Sequence, residues 1–315
     1  MKNLLIFTTV CSLVLLSGCA VKRNNQATAF MMDTVVNIKA DADSDTLSGA
    51  LSLCREYEKM FSRTAEGGEI YTLNSVGSTE LSDEAAEVIN LALSYCEKTG
   101  GKFDITVCPA SELWDFTGSA LPDAERLSAV LELIDYRKIE LSGNKINLNG
   151  TRIDLGAVAK GYIADKAREY LSEKGVENAV INMGGNIVLM GEGYQNVGIK
   201  NPFGGGVAAT LRAKNTAVVT SGTYERYVTV DGKRYHHILN PETGYPVESD
   251  LVSATVITEN SAEADVLSTC CLILGLQSAR ELINMLPDTE AVFITIDGEI
   301  HTSSGIYSED GYLRL

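Results

Sequence analysis

Between Tyr227 and Tyr235 two β-rich arms flank Asp231–Gly232, and this stretch constrains the fold more tightly than any other in the chain. Asp-Gly accepts positive φ at both central residues of a two-residue turn, so the arms close as an antiparallel hairpin on a type I′ turn. Asp297–Gly298, after the apolar run Ala291–Ile296, reads as a second hairpin turn. Further strands are expected at Ala179–Ile181, Asn186–Met190, Val207–Leu211, Ala217–Thr220 and Leu251–Thr258. Helical spacing recurs through Leu47, Ala50, Leu51, Cys54, Tyr57 and Phe61. A second helix begins at the cap Ser82, runs through Cys96 and stops at Gly100–Gly101. Two more run from Ala157 to Lys174 and from Ser261 to Leu274, each ended by a glycine. Strands and helices do not alternate as βαβ units. The pattern predicts an α+β fold, mainly antiparallel sheet with packed helices.

The chain opens Met1–Lys2–Asn3 and continues into an almost unbroken apolar run from Leu4 to Leu16. Roughly a dozen apolar residues fall short of a bilayer span but suit the apolar region of a signal peptide. The run ends Leu16–Ser17–Gly18–Cys19, the form of a bacterial lipobox, in which cleavage leaves Cys19 as a lipid-bearing N-terminus. The expected organisation is a signal peptide over 1–18, a lipidated Cys19 with a polar tether over 19–29, and one catalytic domain over 30–315. An exported, lipid-anchored protein on the periplasmic side of a bacterial membrane follows. Cys54, Cys96, Cys108, Cys270 and Cys271 remain in the domain. An odd number cannot all pair and none stands in a C-x-x-C spacing, so buried free thiols are expected rather than a disulfide framework or zinc site.

The formal net charge of −16 bears on partners. Nucleic-acid binding and polybasic membrane binding both need clustered Lys and Arg, and neither is expected here. A phosphate-bearing ligand would require a local positive field.

Several polar and glycine-rich segments suit such a ligand. Phe103–Phe116 contains the only Trp, Trp114, with Asp115 and Phe116 beside it. Such a pair can stack on a planar ring or pack beneath a loop. In Ile153–Asp165, Asp154 and Gly156 precede a helix start that carries Lys160, and free N–H groups there favour an anion. Asn182-Met-Gly-Gly-Asn-Ile187 follows a strand directly. Two of the three histidines, His236 and His237, stand before Asn240-Pro-Glu-Thr-Gly244. Neighbouring strand residues face opposite ways, so at most one of them faces a given site. Asp265 and Thr269 share one face of an apolar helix. A carboxylate with neutral oxygens suits a hard cation such as Mg²⁺. The alternative is a solvated first-turn acid whose carbonyl accepts from Thr269.

In unbroken order, from Met32-Asp-Thr34 to Thr302-Ser-Ser-Gly305, these segments resemble the ApbE family of FAD:protein FMN transferases. The resemblance implies a single T-fold-like catalytic domain with FAD in a central cleft and a Mg²⁺ ion beside it. It implies transfer of FMN from FAD to a Ser or Thr hydroxyl of an exported or membrane-associated acceptor protein, with release of AMP. By motif, Met32, Tyr71, the backbone around Trp114, Asp115 and Phe116, Asp154, Lys160 and Ile238 would contact FAD. The Ala157 carbonyl, Asp265 and Thr269 would hold the metal, and His237 is the candidate base. Two departures stand out: Asp33 where the family usually has Gly, and Asn240 where Asp is common, which removes a carboxylate near the metal. A Mg²⁺-dependent FAD pyrophosphatase and a lipid-anchored FAD carrier without turnover are the rival readings.

Overall fold

The computed structural model describes residues 24–118 and 120–315. The signal-peptide, lipobox and Cys19 expectations lie outside the described residues. Hairpin strands β1 (Asn24–Met31) and β2 (Thr34–Asp41) lead into helices α1 (Ser44–Phe61) and α2 (Glu69–Val76). Next come β3 (Ser78–Glu80), α3 (Asp83–Lys98), the short α4 (Cys108–Ser111) and α5 (Ala124–Leu131). Strands β4 (Glu140–Ser142) and β5 (Lys145–Asn147) precede α6 (Ala159–Glu173). Seven strands follow: β6 (Ala179–Met183), β7 (Asn186–Met190), β8 (Gln195–Lys200), β9 (Val207–Ala213), β10 (Ala217–Gly222), β11 (Tyr227–Val230) and β12 (Lys233–His236). The chain ends with β13 (Leu251–Thr258), α7 (Ser261–Leu274), α8 (Leu276–Met285), β14 (Glu290–Thr295), β15 (Ile300–Thr302), β16 (Tyr307–Glu309) and β17 (Tyr312–Arg314).

Eight strands form the central sheet in the order β1-β2-β6-β7-β10-β13-β14-β15, with every neighbouring pair antiparallel. The fold is therefore the expected α+β, mainly antiparallel class. One face of the sheet carries the larger core, in which Ile38, Ile181 and Val256 meet helix residues such as Leu47, Ile89, Ile163 and Leu267. The other face meets the four-stranded sheet β16-β17-β9-β8 through Val218, Ile257 and Ile294 against Val197, Ile199 and Leu211. A third cluster gathers Trp114, Leu127, Val228 and Leu239.

The cap expected at Ser82 is present, and the structure adds a second at Asn260. Ser82 Oγ accepts from the Ala85 N–H at 3.2 Å, and Asn260 Oδ1 accepts from Glu263 N–H at 2.8 Å to start α7. Asp231 and Gly232 take φ of 50° and 79°, as the type I′ turn between β11 and β12 demands. Asp297–Gly298 lies in a longer connection, closed by Thr295 N–H donating to the Glu299 carbonyl at 3.0 Å. All five domain cysteines are free and buried.

Two boundaries differ from expectation. From Asn24 onward the presumed tether is the edge strand β1, paired with β2 along its full length. Its inward positions are Asn25, Ala27, Ala29 and Met31, while Gln26, Thr28 and Phe30 face out, so the strand reads as polar. Helix α6 begins at Ala159 rather than Ala157, because Val158 sits at φ −140° and breaks the helical path. Ala157 therefore belongs to the turn before the helix. No described helix is long and apolar enough to cross a membrane.

Candidate active site

The N-terminal turns of α6 and α7 are packed backbone to backbone, and each helix donates to the other's aspartate. Gly161 N–H in α6 donates to Asp265 Oδ2 at 2.9 Å, and Ala262 N–H in α7 donates to Asp165 Oδ2 at 2.9 Å. Only glycine permits this approach. A methyl group on Gly161 would lie 2.2 Å from the Ser261 carbonyl oxygen and 2.6 Å from the Ala262 Cα. Asp165 is completed by Arg168 at 2.9 Å, a structural ion pair on α6 itself.

Asp265 is in a different state. It is 3% exposed, so the reading of it as a solvated first-turn acid is wrong. Its side chain has the Gly161 N–H, and burial pushes its carboxyl up while the Lys160 charge pulls the other way. An ionised carboxylate held this deep is costly without a strong counter-charge. Thr269 lies one turn on, its Oγ1 3.2 Å from Ser221 Oγ on β10 and 3.5 Å from the Asp265 carbonyl. Ser221 also bonds Ser268 at 2.8 Å, and Ser268 donates to the Asp265 carbonyl at 2.9 Å. Among the described residues no three His, Cys, Asp or Glu gather as a metal-binding group. A cation here would meet one carboxylate and neutral oxygens, the donor set of Mg²⁺ rather than zinc. The residues present fit that ion.

The loop before α6 is braced from two sides. Asp154 accepts from Gly156 N–H at 2.8 Å and pairs with Arg63 at 2.9 Å. Arg63 extends to Glu112 at 3.4 Å, which Arg152 also holds. Asn74 on α2 receives the Ile153 N–H and donates to its carbonyl, both at 2.8 Å. Tyr71 is half-buried on the same helix, three residues before Asn74.

Met32 and Asp33 form the β1–β2 turn with φ of 52° and 55°. Both central residues are left-handed, the conformation in which glycine is easiest and Asp among the better tolerated side chains. Asp33 thus keeps the turn shape, and its carboxylate lies 3.9 Å from Arg226. Met32 N–H donates to Glu58 Oε1 at 2.5 Å. Asn240 shows why its departure from Asp leaves the loop intact. Its Oδ1 accepts from Glu242 N–H at 2.8 Å, shaping the Pro241–Gly244 turn.

Trp114 and Phe116 stack on each other, 5.5 Å apart and 4° from parallel. Trp114 Nε1 donates to the Gly244 carbonyl at 2.8 Å, and Tyr245 meets the ring edge-on. The indole is packing, and Phe116 is the half-buried ring of the pair. The Asp115 carboxylate is taken up by Thr117 and Gly118 in a local turn. Ile238 is buried in the main core. His237 meets Phe116 edge-on at 6.4 Å, and its Nδ1 lies 3.2 Å from the Arg226 carbonyl. Donation from Nδ1–H to that carbonyl leaves Nε2 with a lone pair. Burial, with Arg226 nearby, pulls His237 down to about 4, so the ring is neutral at pH 7. His236 is spent on the Val247 carbonyl at 3.2 Å.

Lys160 ties these parts together: its charge acts on Asp265, Glu225 and His237. Sequence reasoning passed over Arg63, Ser221, Ser268 and Glu225 as individual residues. Arg63 has no local signal, whereas Ser221 and Glu225 lie in the polar, glycine-containing run Thr220-Ser-Gly-Thr-Tyr-Glu-Arg-Tyr227 that leads into the hairpin, which is the signal that could find them.

The fold thus brings a half-buried lysine and a buried carboxylate to the meeting of two helix N-termini. The ApbE family model matches residues 32–293, and the chain belongs to that family. A protein of Klebsiella pneumoniae named FAD:protein FMN transferase is 33% identical over 288 residues, spanning 88% of this chain and 90% of its own. One of the same name from Treponema pallidum is 32% identical, spanning 82% and 80%. Among solved structures, the ApbE protein of Thermotoga maritima superposes with a TM-score of 0.81 at 31% identity, over 90% of this chain and 97% of that one. The flavin transferase ApbE of Vibrio cholerae gives 0.79 at 25% identity, over 89% and 97%.

Proposed function

We propose that this protein transfers the FMN half of FAD to a Ser or Thr hydroxyl of an exported or membrane-associated protein through a phosphoester bond, and releases AMP. We further propose that it works from a lipid anchor at Cys19 on the periplasmic side of a bacterial membrane. The observation that carries the chemistry is the buried Asp265 carboxylate at the α6–α7 junction, held by the Gly161 N–H one residue after Lys160. The shared name of its relatives supports the flavin substrate.

Each residue has a definite task in this reading. Asp265, Thr269 and the Ala157 carbonyl hold Mg²⁺, which when bound neutralises phosphate oxygens and polarises the diphosphate. Lys160 adds a fixed positive charge to the same oxygens. Arg63 and Asp154 hold the loop that carries Ala157, and Met32, Tyr71, Phe116 and Ile238 border the flavin nucleotide. His237 Nε2 accepts the proton of the acceptor hydroxyl. The hydroxyl oxygen forms its bond to the FMN-side phosphorus. The bond from that phosphorus to the bridging oxygen breaks, and its electron pair leaves with AMP. Incubation with FAD and Mg²⁺, with and without acceptor, tests this: AMP should form in step with FMN bound to protein. Stoichiometric free FMN in the presence of acceptor would mark a pyrophosphatase, and unchanged FAD a carrier.

A further inference from the structure

Among the described residues strand β8 is one edge of the four-stranded sheet, paired only with β9. Val197 and Ile199 turn into the core beneath it, while Asn196, Gly198 and Lys200 face out. Beside it lies a cavity of about 420 Å³ between β8 and the β6–β7 turn at Gly184–Gly185. That turn takes φ of 65° and 95°; the Thr34 side chain fills the space beside Gly184, whereas a methyl group on Gly185 would meet nothing nearer than the Thr220 carbonyl at 3.5 Å. At Gly185 the wall is bare backbone, which another backbone can approach closely. Glu225 lines the cavity, and the carbonyl of the next residue, Arg226, lies 3.2 Å from His237 Nδ1. Asn186, next to the lining Gly185, accepts from Ser261 Oγ at the start of α7 at 2.7 Å, which sets the cavity beside the α6–α7 junction.

The candidate FAD residues Tyr71, Asp154 and Phe116 stand on helices and loops, and none of them lines this cavity. In-line displacement requires the attacking and leaving oxygens on opposite sides of phosphorus, so the second substrate needs its own approach. An edge strand with unpaired backbone groups is a ready template for an extended segment, which gains main-chain hydrogen bonds by adding as a further strand.

We propose that the edge of β8 and the cavity beneath Gly184–Gly185 form the docking groove of the acceptor protein, which lays an extended segment along β8 and turns its Ser or Thr hydroxyl toward Lys160 and Asp265. The assignment rests on the transferase reading. Lys200 guards the mouth, its ammonium 5.1 Å from the centre of the Tyr224 ring. Lys200→Trp fills the mouth, whereas Lys200→Ala leaves it open. Co-expression with an exported proteome, followed by mass spectrometry of FMN adducts, reads the acceptor step, and fluorescence titration with FAD and Mg²⁺ reads the nucleotide step. Lys200→Trp should lower adduct formation by about tenfold or more, and Lys200→Ala by less than about threefold, with FAD affinity unchanged in both. A benzoylphenylalanine at Asn196 should crosslink the same protein that carries the adduct, within a few residues of the modified hydroxyl. Wild-type levels of adduct from Lys200→Trp, or no crosslink from Asn196 to a protein that is being flavinylated, would overturn the groove while leaving the transferase reading intact. Absence of any adduct with the wild-type protein would remove both.

Discussion

Gly161→Ala separates two physical effects that pull in opposite directions. By helix propensity alone, alanine inside α6 stabilises by about 1 kcal/mol over glycine. The packing predicts otherwise. The new methyl group lies 2.2 Å from the Ser261 carbonyl oxygen, where ordinary contact begins at 3.4 Å, so the helix starts must part by 3.4 − 2.2 = 1.2 Å. Overpacking of that kind typically costs about 1–3 kcal/mol, which leaves a net loss of at most about 2 kcal/mol and a folded protein. The same shift stretches the 2.9 Å bond from Gly161 N–H to Asp265 beyond hydrogen-bond length and separates Ala157 and Lys160 from Asp265 and Thr269. A displacement of about 1 Å in a positioned site can reduce rate by about 10²-fold. The assay combines a thermal unfolding midpoint with AMP release from FAD plus acceptor across a Mg²⁺ titration. The expected result is a small fall in midpoint, a large fall in rate and a raised Mg²⁺ requirement. A variant that unfolds later than wild type and keeps its rate and Mg²⁺ half-saturation would refute the claim that the α6–α7 contact sets the site.

His237→Ala should slow transfer by about 10²–10⁴-fold with FAD and Mg²⁺ binding retained, measured by stopped assays and titration. Because His237 is pulled down to about 4, the rate–pH profile should show no protonation limb for it near the ordinary histidine value and one near 4. Folding stability should likewise fall as pH drops from about 6.5 toward 4, since the unfolded chain takes up the proton first. Arg63→Ala should raise the KM for FAD by about tenfold as the Asp154 loop loosens, with Arg63→Lys recovering part of the loss. Burial pushes the thiols of Cys54, Cys96, Cys108 and Cys271 up to about 12, so a thiol reagent at pH 8 should label these residues only on unfolding.

Much of the fold was legible where local chemistry decides it. Asp231–Gly232 makes its turn because both residues must be left-handed, and Ser82 starts a helix because its side chain reaches the third residue on. Strand β1 was illegible because an edge strand with alanines inward has no apolar alternation to see. The site divides the same way. Asp265 and Thr269 announce themselves by spacing within one helix, and Lys160 by a helix start. Arg63 meets Asp154, and Ser221 meets Thr269, across 91 and 48 residues, where only the assembled sheet and helices bring them together. The role of Asn240 in shaping its own turn, rather than in ligating a metal, also needed the geometry of the Pro241–Gly244 loop.

The central claim is that Asp265 anchors a phosphate-bound cation for the transfer of FMN to a protein hydroxyl. Its most direct test is mass spectrometry of exported proteins after co-expression with the wild-type chain or with Asp265→Asn, which keeps the shape and removes the charge. The account predicts an FMN-sized adduct on a Ser or Thr of the acceptor with the wild type and its loss with the variant. An equal adduct from both, or none from the wild type while free FMN and AMP accumulate, would contradict it.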